Sequence, residues 1–360
     1  MEKHWLNFQA DQIEMVLAAH KAPARVWGGQ LTPRTIQFHL APAATTKLAR
    51  LEALTEEVAL ALGAPSARLT RTNGTLSLEV PRSDARFVSL IELDARLRND
   101  EALRRALRLA GTAILGIDSA GVPLLVRLAS PDVAHCLIAG TTGSGKTELA
   151  RTLVASLVMH QKPRDVQLAL FDPKAHGLAP FARAPHLLFP IVGDPDETLD
   201  RTSWLVTEME RRDQLQIERP RIVIVMDELA DLLQTCGSEL EAHLTRLVQR
   251  GRSAGLSVVA CTQKPSASVV GGLVKANFPV RMVGRVTSAV EALVAAGIGG
   301  TDAEKLAGRG DFLLIAGGQV IRFQAAQIKP HEIAGLFEPV TVEPQSTLRE
   351  RMAAQLRRVK

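Results

Sequence analysis

Two carboxylates stand side by side at the end of an apolar run. In RIVIVMDELADLL, Arg221 to Leu233, the five residues Ile222 to Met226 lead directly into Asp227 and Glu228. Such a run reads as a strand buried on both faces, and two acids at its end are costly unless a cation meets them. A loop that would bring a dication to them stands earlier in the chain. GTTGSGKT, Gly140 to Thr147, follows the apolar HCLIA and precedes the helical ELARTLVASLVM. In that strand–loop–helix setting the glycines let successive N–H groups face phosphate oxygens at a helix N-terminus. Lys146 would reach the β- and γ-phosphates of a nucleotide, and Thr147 would offer its hydroxyl to Mg²⁺. The nucleotide-binding set is therefore Gly140, Thr141, Thr142, Gly143, Ser144, Gly145, Lys146, Thr147 and Glu148, with ATP and Mg²⁺ as ligands.

The acids now have a purpose. Asp227 would hold the metal through water, and Glu228 would orient and deprotonate the attacking water. An N-cap role on the next helix is the alternative for Asp227, and it leaves Glu228 without a reason. A third apolar run ends in ACTQKP, which puts Gln263 at a strand C-terminus, where ligands bind in open α/β sheets. A γ-phosphate contact and a role as a satisfied loop glutamine are both open for Gln263.

Elements to position these residues are visible along the 360-residue chain. From about Val133, the short apolar runs HCLIAG, VQLALFD, RIVIVMD, LSVVACTQ and VRMVGRV alternate with helical segments. That alternation is the mark of a parallel sheet with helices on its faces. GDFLLIAGGQVIRFQAA reads as a hairpin closing the sheet edge. Upstream, QLTPRTIQFHL suggests a strand, Thr46 to Gly63 a single helix, and ARLTRTNGTLSLEV a hairpin turning at Asn73-Gly74. The expected organisation is an N-terminal helical segment over 1–22, a small α+β domain over 23–128, the α/β unit over 129–335 and a basic tail over 336–360. EALRRALRLAG carries Arg104, Arg105 and Arg108, which read as a solvated helix face.

Composition excludes several classes. An apolar share of 46% and a charged share of 22% are those of a soluble globular protein. No apolar run approaches the ~20 residues of a membrane span, and the acid-bearing N-terminus is no signal peptide. A cytoplasmic setting is expected. Cys136, Cys236 and Cys261 lack any metal-binding spacing and read as small buried hydrophobes. The net charge of +5 favours a polyanion only mildly. With no tyrosine and 4% aromatics, a nucleic-acid partner would be a gripped duplex backbone and not stacked single-stranded bases.

At the level of motifs the chain resembles the FtsK/SpoIIIE family of DNA-pumping ATPases. The likeness rests on HCLIAGTTGSGKTELAR, LFDPKAHGL, APHLLFPIV, WLVTEMERR, RIVIVMDELADLL, LVQRGRSAGLSVVACTQKPSASVVGGLVKANFPVRM and GRGDFLL, in family order over roughly residues 133–325. Residues 23–128 resemble the small domain that precedes the motor. The resemblance implies a RecA-like P-loop motor that forms a homohexameric ring around double-stranded DNA and hydrolyses ATP between subunits. It implies that Arg252 is offered to the neighbour's ATP, and that Thr262, Lys264 and Lys275 touch the DNA backbone. A membrane or transfer-complex partner fits the same picture, and no small-molecule substrate other than ATP is expected. Readings of a different class are a type VII protein-secretion motor and an ATP-dependent recruitment adaptor.

The sequence departs from the family at Gly177, where a glutamate is usual, and at Ala289 and Leu293, where a lysine and an arginine are usual. The stretch after Gln327 is short for a winged helix. The expectation is a stripped-down motor of a plasmid, phage or integrative element.

Overall fold

The computed structural model of the protein describes residues 2–72, 74–85, 87–265 and 277–337. Helix α1 (Glu2–Ala19) packs with a four-stranded antiparallel sheet of order β1-β2-β4-β3, made of Ala24–Leu31, Thr35–Pro42, Thr75–Pro81 and Arg68–Thr72. Ile13 and Leu17 of α1 meet Ile36, Phe38, Leu78 and Val80 of the sheet, and Leu51 and Val58 cover the same core. Two expectations are corrected here. The strand expected over QLTPRTIQFHL is the end of β1, a turn and the start of β2, because Pro33 cannot continue a ladder and Thr32 N–H donates to Thr35 O at 2.9 Å. The single helix expected from Thr46 to Gly63 is broken at Leu54 into α2 (Leu48–Ala53) and α3 (Thr55–Ala61). At the break Leu54 leaves helical geometry, with φ −100° and ψ 8°. Asn73, the expected turn residue of the β3–β4 hairpin, lies outside the described residues.

The second sheet has ten strands in the order β7-β6-β14-β13-β12-β8-β11-β10-β9, with the short β5 (Val88–Ser89) beside β14. The five runs predicted as strands form its parallel half: β8 (Cys136–Ala139), β9 (Val166–Phe171), β10 (Arg221–Met226), β11 (Leu256–Thr262) and β12 (Val280–Val283). Every residue of β10 and β11 is buried. Alternate side chains of β10 enter different layers, as a strand's two-residue period requires. Val223 and Val225 face Leu149, Leu153 and Leu157 of α6 (Lys146–His160). Ile222, Ile224 and Met226 face Leu205 and Met209 of α7 (Pro195–Leu215) and Leu240 and Leu244 of α8 (Leu229–Arg250).

The hairpin β13 (Asp311–Ala316) and β14 (Gln319–Gln327) does not close the sheet edge. β6 (Thr112–Asp118) and β7 (Pro123–Arg127) extend the sheet antiparallel beyond it. With α4 (Leu90–Leu97) and α5 (Glu101–Leu107), they share the core under α6. We therefore place the boundary of the small domain between residues 82 and 88 and not at 128: residues 88–128 are bound by ladder and core to the larger unit.

Where β6 meets β7 the register shifts between Ile114 and Gly116. The buried Ile114 amide is met instead by the Ser156 hydroxyl of α6 at 2.8 Å, and Thr152 of the same helix donates to Ala326 O at 2.6 Å. Ser156→Ala should leave that amide unsatisfied and lower the stability of the larger unit by about 1–3 kcal/mol, read as a fall in its urea midpoint. An unchanged midpoint would show that the bond is dispensable.

Candidate nucleotide-binding site

The parallel half aligns its C-terminal ends. Ala139 pairs with Thr262 and Val283, and Met226 with Ala260 and Phe171, so the loops that follow β8, β10 and β11 emerge together. After β8 the chain turns through Gly140 to Gly145 into α6. Gly145 has φ 99°, and a Cβ there would lie 2.6 Å from Gly310 N, so only glycine fits. Gly140 N–H donates to Thr262 O at 3.1 Å, and Thr141 N–H to Arg285 O at 2.9 Å, which tie the loop to the ends of β11 and β12. The first intrahelical bond of α6 is Leu149 N–H to Gly145 O. The first-turn amides of the helix, Lys146 to Glu148, have no carbonyl four residues back to take them and stand at the positive end of its dipole.

Lys146 is 4% exposed. Its Nζ lies 3.6 Å from Asp227 Oδ1 and 3.4 Å from Glu228 Oε2, and donates to the Asp227 carbonyl. Asp227 and Glu228 are 6% and 3% exposed. The Thr147 hydroxyl donates to Asp227 Oδ1 at 3.3 Å. Glu228 Oε1 accepts the Gln263 amide at 3.0 Å, and Gln263 Oε1 accepts the Thr142 hydroxyl at 2.9 Å. Gln263 thus links the glycine loop to Glu228. Glu228 stands at the N-cap of α8 without a side-chain capping bond, and Asp227 is turned toward Thr147, so neither acid serves as a cap. Thr147 and Asp227 form an all-oxygen pair beside open amides, donors that suit a hard cation such as Mg²⁺. Asp227 and Glu228 were legible, and the structure brings both to Lys146.

Other predicted residues separate. Ser144 is buried, so its side chain faces the interior and only its backbone belongs to the loop. The Glu148 carboxylate is taken by Arg151 at 2.8 Å. Arg151 also donates to His176 O at 2.7 Å and to Gly177 O. A Cβ on Gly177 would lie 2.5 Å from Asp227 Oδ2 and 3.2 Å from the Thr147 methyl. The missing side chain is what lets this loop close over the pair. Thr262 is corrected: it is fully buried, its hydroxyl accepts Lys264 N–H at 3.2 Å, and it shapes a turn without reaching a surface where DNA could touch it. Lys264 is exposed, and Lys275 lies outside the described residues.

Arg252 is exposed in the turn before β11. Gln263 follows that strand's other end, a seven-residue strand away, or ~23 Å. Arg252 does not meet its own chain's site. Sequence reasoning missed Lys174, which pairs with Asp231 at 2.8 Å. The hydrogen bond to Asp231 raises its pKa above the ordinary lysine value, helped by the charges of Glu228 and Asp227. It also missed the contact of Gly308–Gly310 with the glycine loop, although GRGD stood out as a motif. Both Cys136 and Cys261 are fully buried, and burial raises both thiols, Cys136 to about 12. Among the described residues no helix is long and apolar enough to cross a membrane.

Comparison with known proteins agrees with this geometry. The profile of the FtsK/SpoIIIE family matches residues 96–218 and 213–267, and that of the FtsK alpha domain matches residues 1–82. A DNA translocase FtsK of Sporosarcina ureae is 32% identical over 96% of this chain and 47% of its own length. DNA translocase SpoIIIE of Bacillus subtilis is 31% identical over 95% of this chain and 46% of its own. The chain thus spans about half the length of these curated relatives. Among solved structures, the pCW3 conjugation coupling protein TcpA superimposes with a TM-score of 0.60 at 17% identity, covering 92% of this chain and 99% of that one. The cytoplasmic domain of the type VII secretion ATPase EccC of Thermomonospora curvata gives 0.54 at 24% identity, over 65% of this chain and 33% of that one. Both share the α/β fold of P-loop ATPase motors.

Lys146 stabilises the site it occupies. Removing one partner of a buried charge cluster leaves the others uncompensated. In nucleotide-free protein, Lys146→Ala should cost up to ~3 kcal/mol of unfolding free energy, and adding Glu228→Gln to the same chain should recover part of it. A double variant less stable than the single one would contradict this coupling.

Proposed function

The chain belongs to the FtsK/SpoIIIE family, and from that premise we propose that it is a cytoplasmic ATPase that drives double-stranded DNA through a homohexameric ring. One observation carries this reading. Lys146, Thr147, Asp227, Glu228 and Gln263 converge at one end of the sheet, while Arg252 is exposed at the other end. If Arg252 serves such a site, that site belongs to a neighbouring subunit, where Arg252 would stabilise charge on the transferring phosphoryl group.

Mg²⁺, held by Thr147 and through water by Asp227, would neutralise the β- and γ-phosphate oxygens. Lys146 would leave the Asp227 carbonyl and turn to those oxygens, a stronger, charge-assisted bond. Glu228, no longer facing an ammonium, would accept the proton of the attacking water. Gln263, bonded to Glu228 through its amide and to Thr142 through its side chain, is suited to register loss of the γ-phosphate. Lys264 and Lys275 would neutralise backbone phosphates without reading sequence. A membrane or transfer-complex partner would be engaged outside this site.

Glu228→Gln should bind ATP and hydrolyse it very slowly. Arg252→Ala should retain binding and lose roughly a thousandfold in turnover. Mixing the two should regain part of the activity, because some interfaces then pair an intact Glu228 with an intact Arg252. Full turnover by a monomer at any dilution would refute the shared site.

Duplex DNA should stimulate hydrolysis better than single strands. Stimulation by protein alone would instead indicate a secretion motor, and binding without hydrolysis an adaptor. Lys264→Ala should weaken binding to all duplexes alike and reduce the salt slope by about one, with basal hydrolysis retained. Sequence-dependent loss in a titration series over unrelated duplexes would contradict a phosphate contact.

A further inference from the structure

The loop from Gly308 to Asp311 braces the phosphate loop from behind. Arg309 N–H donates to Gly143 O at 2.8 Å, and Gly310 N–H to Ser144 O at 2.7 Å. To make both bonds the brace turns through positive φ at three successive residues, 71° at Gly308, 51° at Arg309 and 92° at Gly310. A non-glycine residue keeps that conformation only where its surroundings hold it.

Much of what holds it comes from the small domain. Arg34 Nη1 donates to Arg309 O at 2.6 Å and reaches Gly308 O at 3.5 Å. Gln324 Nε2, on β14, shares the Arg309 carbonyl at 3.1 Å. Asp311, the last residue of the loop, is 6% exposed. Arg322 grips it with Nε and Nη2, both at 2.8 Å, and its third nitrogen meets Glu79 of the small domain. Glu79, 2% exposed, is bound in turn by Arg68 at 2.6 Å, and Arg68 reaches Asp311 at 3.6 Å and the Lys305 carbonyl. Each domain thus contributes one half-buried arginine and one buried carboxylate to a single charge-balanced cluster. Removing one member would leave a buried carboxylate without its full complement of partners.

We propose that Arg34 and the Arg68–Glu79 pair are positioning residues for the phosphate loop, acting through the Gly308–Asp311 brace, so that the seating of the small domain sets the affinity of the motor for nucleotide. This rests on reading Gly140 to Thr147 as a nucleotide loop. The chain of contact is short: one side chain, one loop carbonyl, two amides and two phosphate-loop carbonyls. Motion of the small domain by an ångström or two would break the Arg34 bond and release the brace.

The test uses the full chain with Arg34→Ala, Arg34→Lys and Glu79→Gln. Hydrogen exchange is followed without nucleotide over residues 140–147, and KM and kcat for ATP are measured on the same preparations. Arg34→Ala should speed exchange in 140–147 and raise KM roughly tenfold, the worth of one charge-assisted hydrogen bond, with kcat changed less than about twofold. Arg34→Lys, which keeps a donor to Arg309 O, should restore most of both. Glu79→Gln should move exchange and KM in the same direction as Arg34→Ala. Exchange over 140–147 unchanged in Arg34→Ala and Glu79→Gln would overturn the proposal, as would a lowered melting temperature with unchanged KM. If the unaltered protein neither binds nor hydrolyses ATP, the nucleotide reading fails, and the exchange measurement still decides whether the small domain positions the loop.

Discussion

An ammonium group held nearly out of water between two carboxylates is the constraint to which the larger domain is built. Lys146, Asp227 and Glu228 are each at most 6% exposed, and charges so placed persist only with partners on every side. Those partners come from separate parts of the chain. Thr147 faces Asp227, the Gln263 amide faces Glu228, and the Asp227 carbonyl receives the lysine. They meet only because β8, β10 and β11 run parallel in one register, so that three loops leave the sheet at one height. A slip of one residue in β10 would exchange the faces of Val223 and Ile224 and carry both acids away from the lysine. The apolar layers on either side of the sheet therefore fix electrostatic geometry as well as stability.

The same register explains what could be read from the residues alone. The five parallel strands were legible because each is a short, mostly apolar run, broken inside only by single polar residues such as Gln167, Ser257 and Arg281, a pattern that suits a strand covered on both faces. The glycine loop and the acids were legible because their chemistry demands particular residue types. Thr262 was assigned to the DNA only through the family resemblance, whereas in this chain it is buried and its hydroxyl closes a turn. The break at Leu54, at φ −100° and ψ 8°, escaped because Thr46 to Gly63 keeps helical periodicity across it.

Contacts made by backbone were the least legible. Gly308 to Gly310 touch the phosphate loop through two amides, with some 165 residues between the partners, and amides carry no residue-type signature. The glycines of GRGD were the only trace, since they permit the positive φ that the approach requires. The domain boundary was misplaced for a related reason. Residues 88–128 alternate like any α+β segment, and it is the ladders of β5 and β6 with β14 and the shared core under α6 that assign them to the larger unit.

Charge balance has a last consequence for the order of events at this site. Two carboxylates already face one ammonium, so the nucleotide-free site is short of positive charge. On the proposed reading, a triphosphate draws Lys146 toward itself, and in doing so it removes the ammonium that pairs with both acids. Without a compensating cation, like charges would face one another in a region of low dielectric, where their repulsion is least screened. Thr147 and Asp227, already in contact at 3.3 Å, stand where such a cation would relieve both the acids and the phosphates. Gly177, with no side chain to intrude, leaves Asp227 free to turn toward it. Nucleotide and metal would then enter together, and Glu228 would become a competent base only after Lys146 has left it.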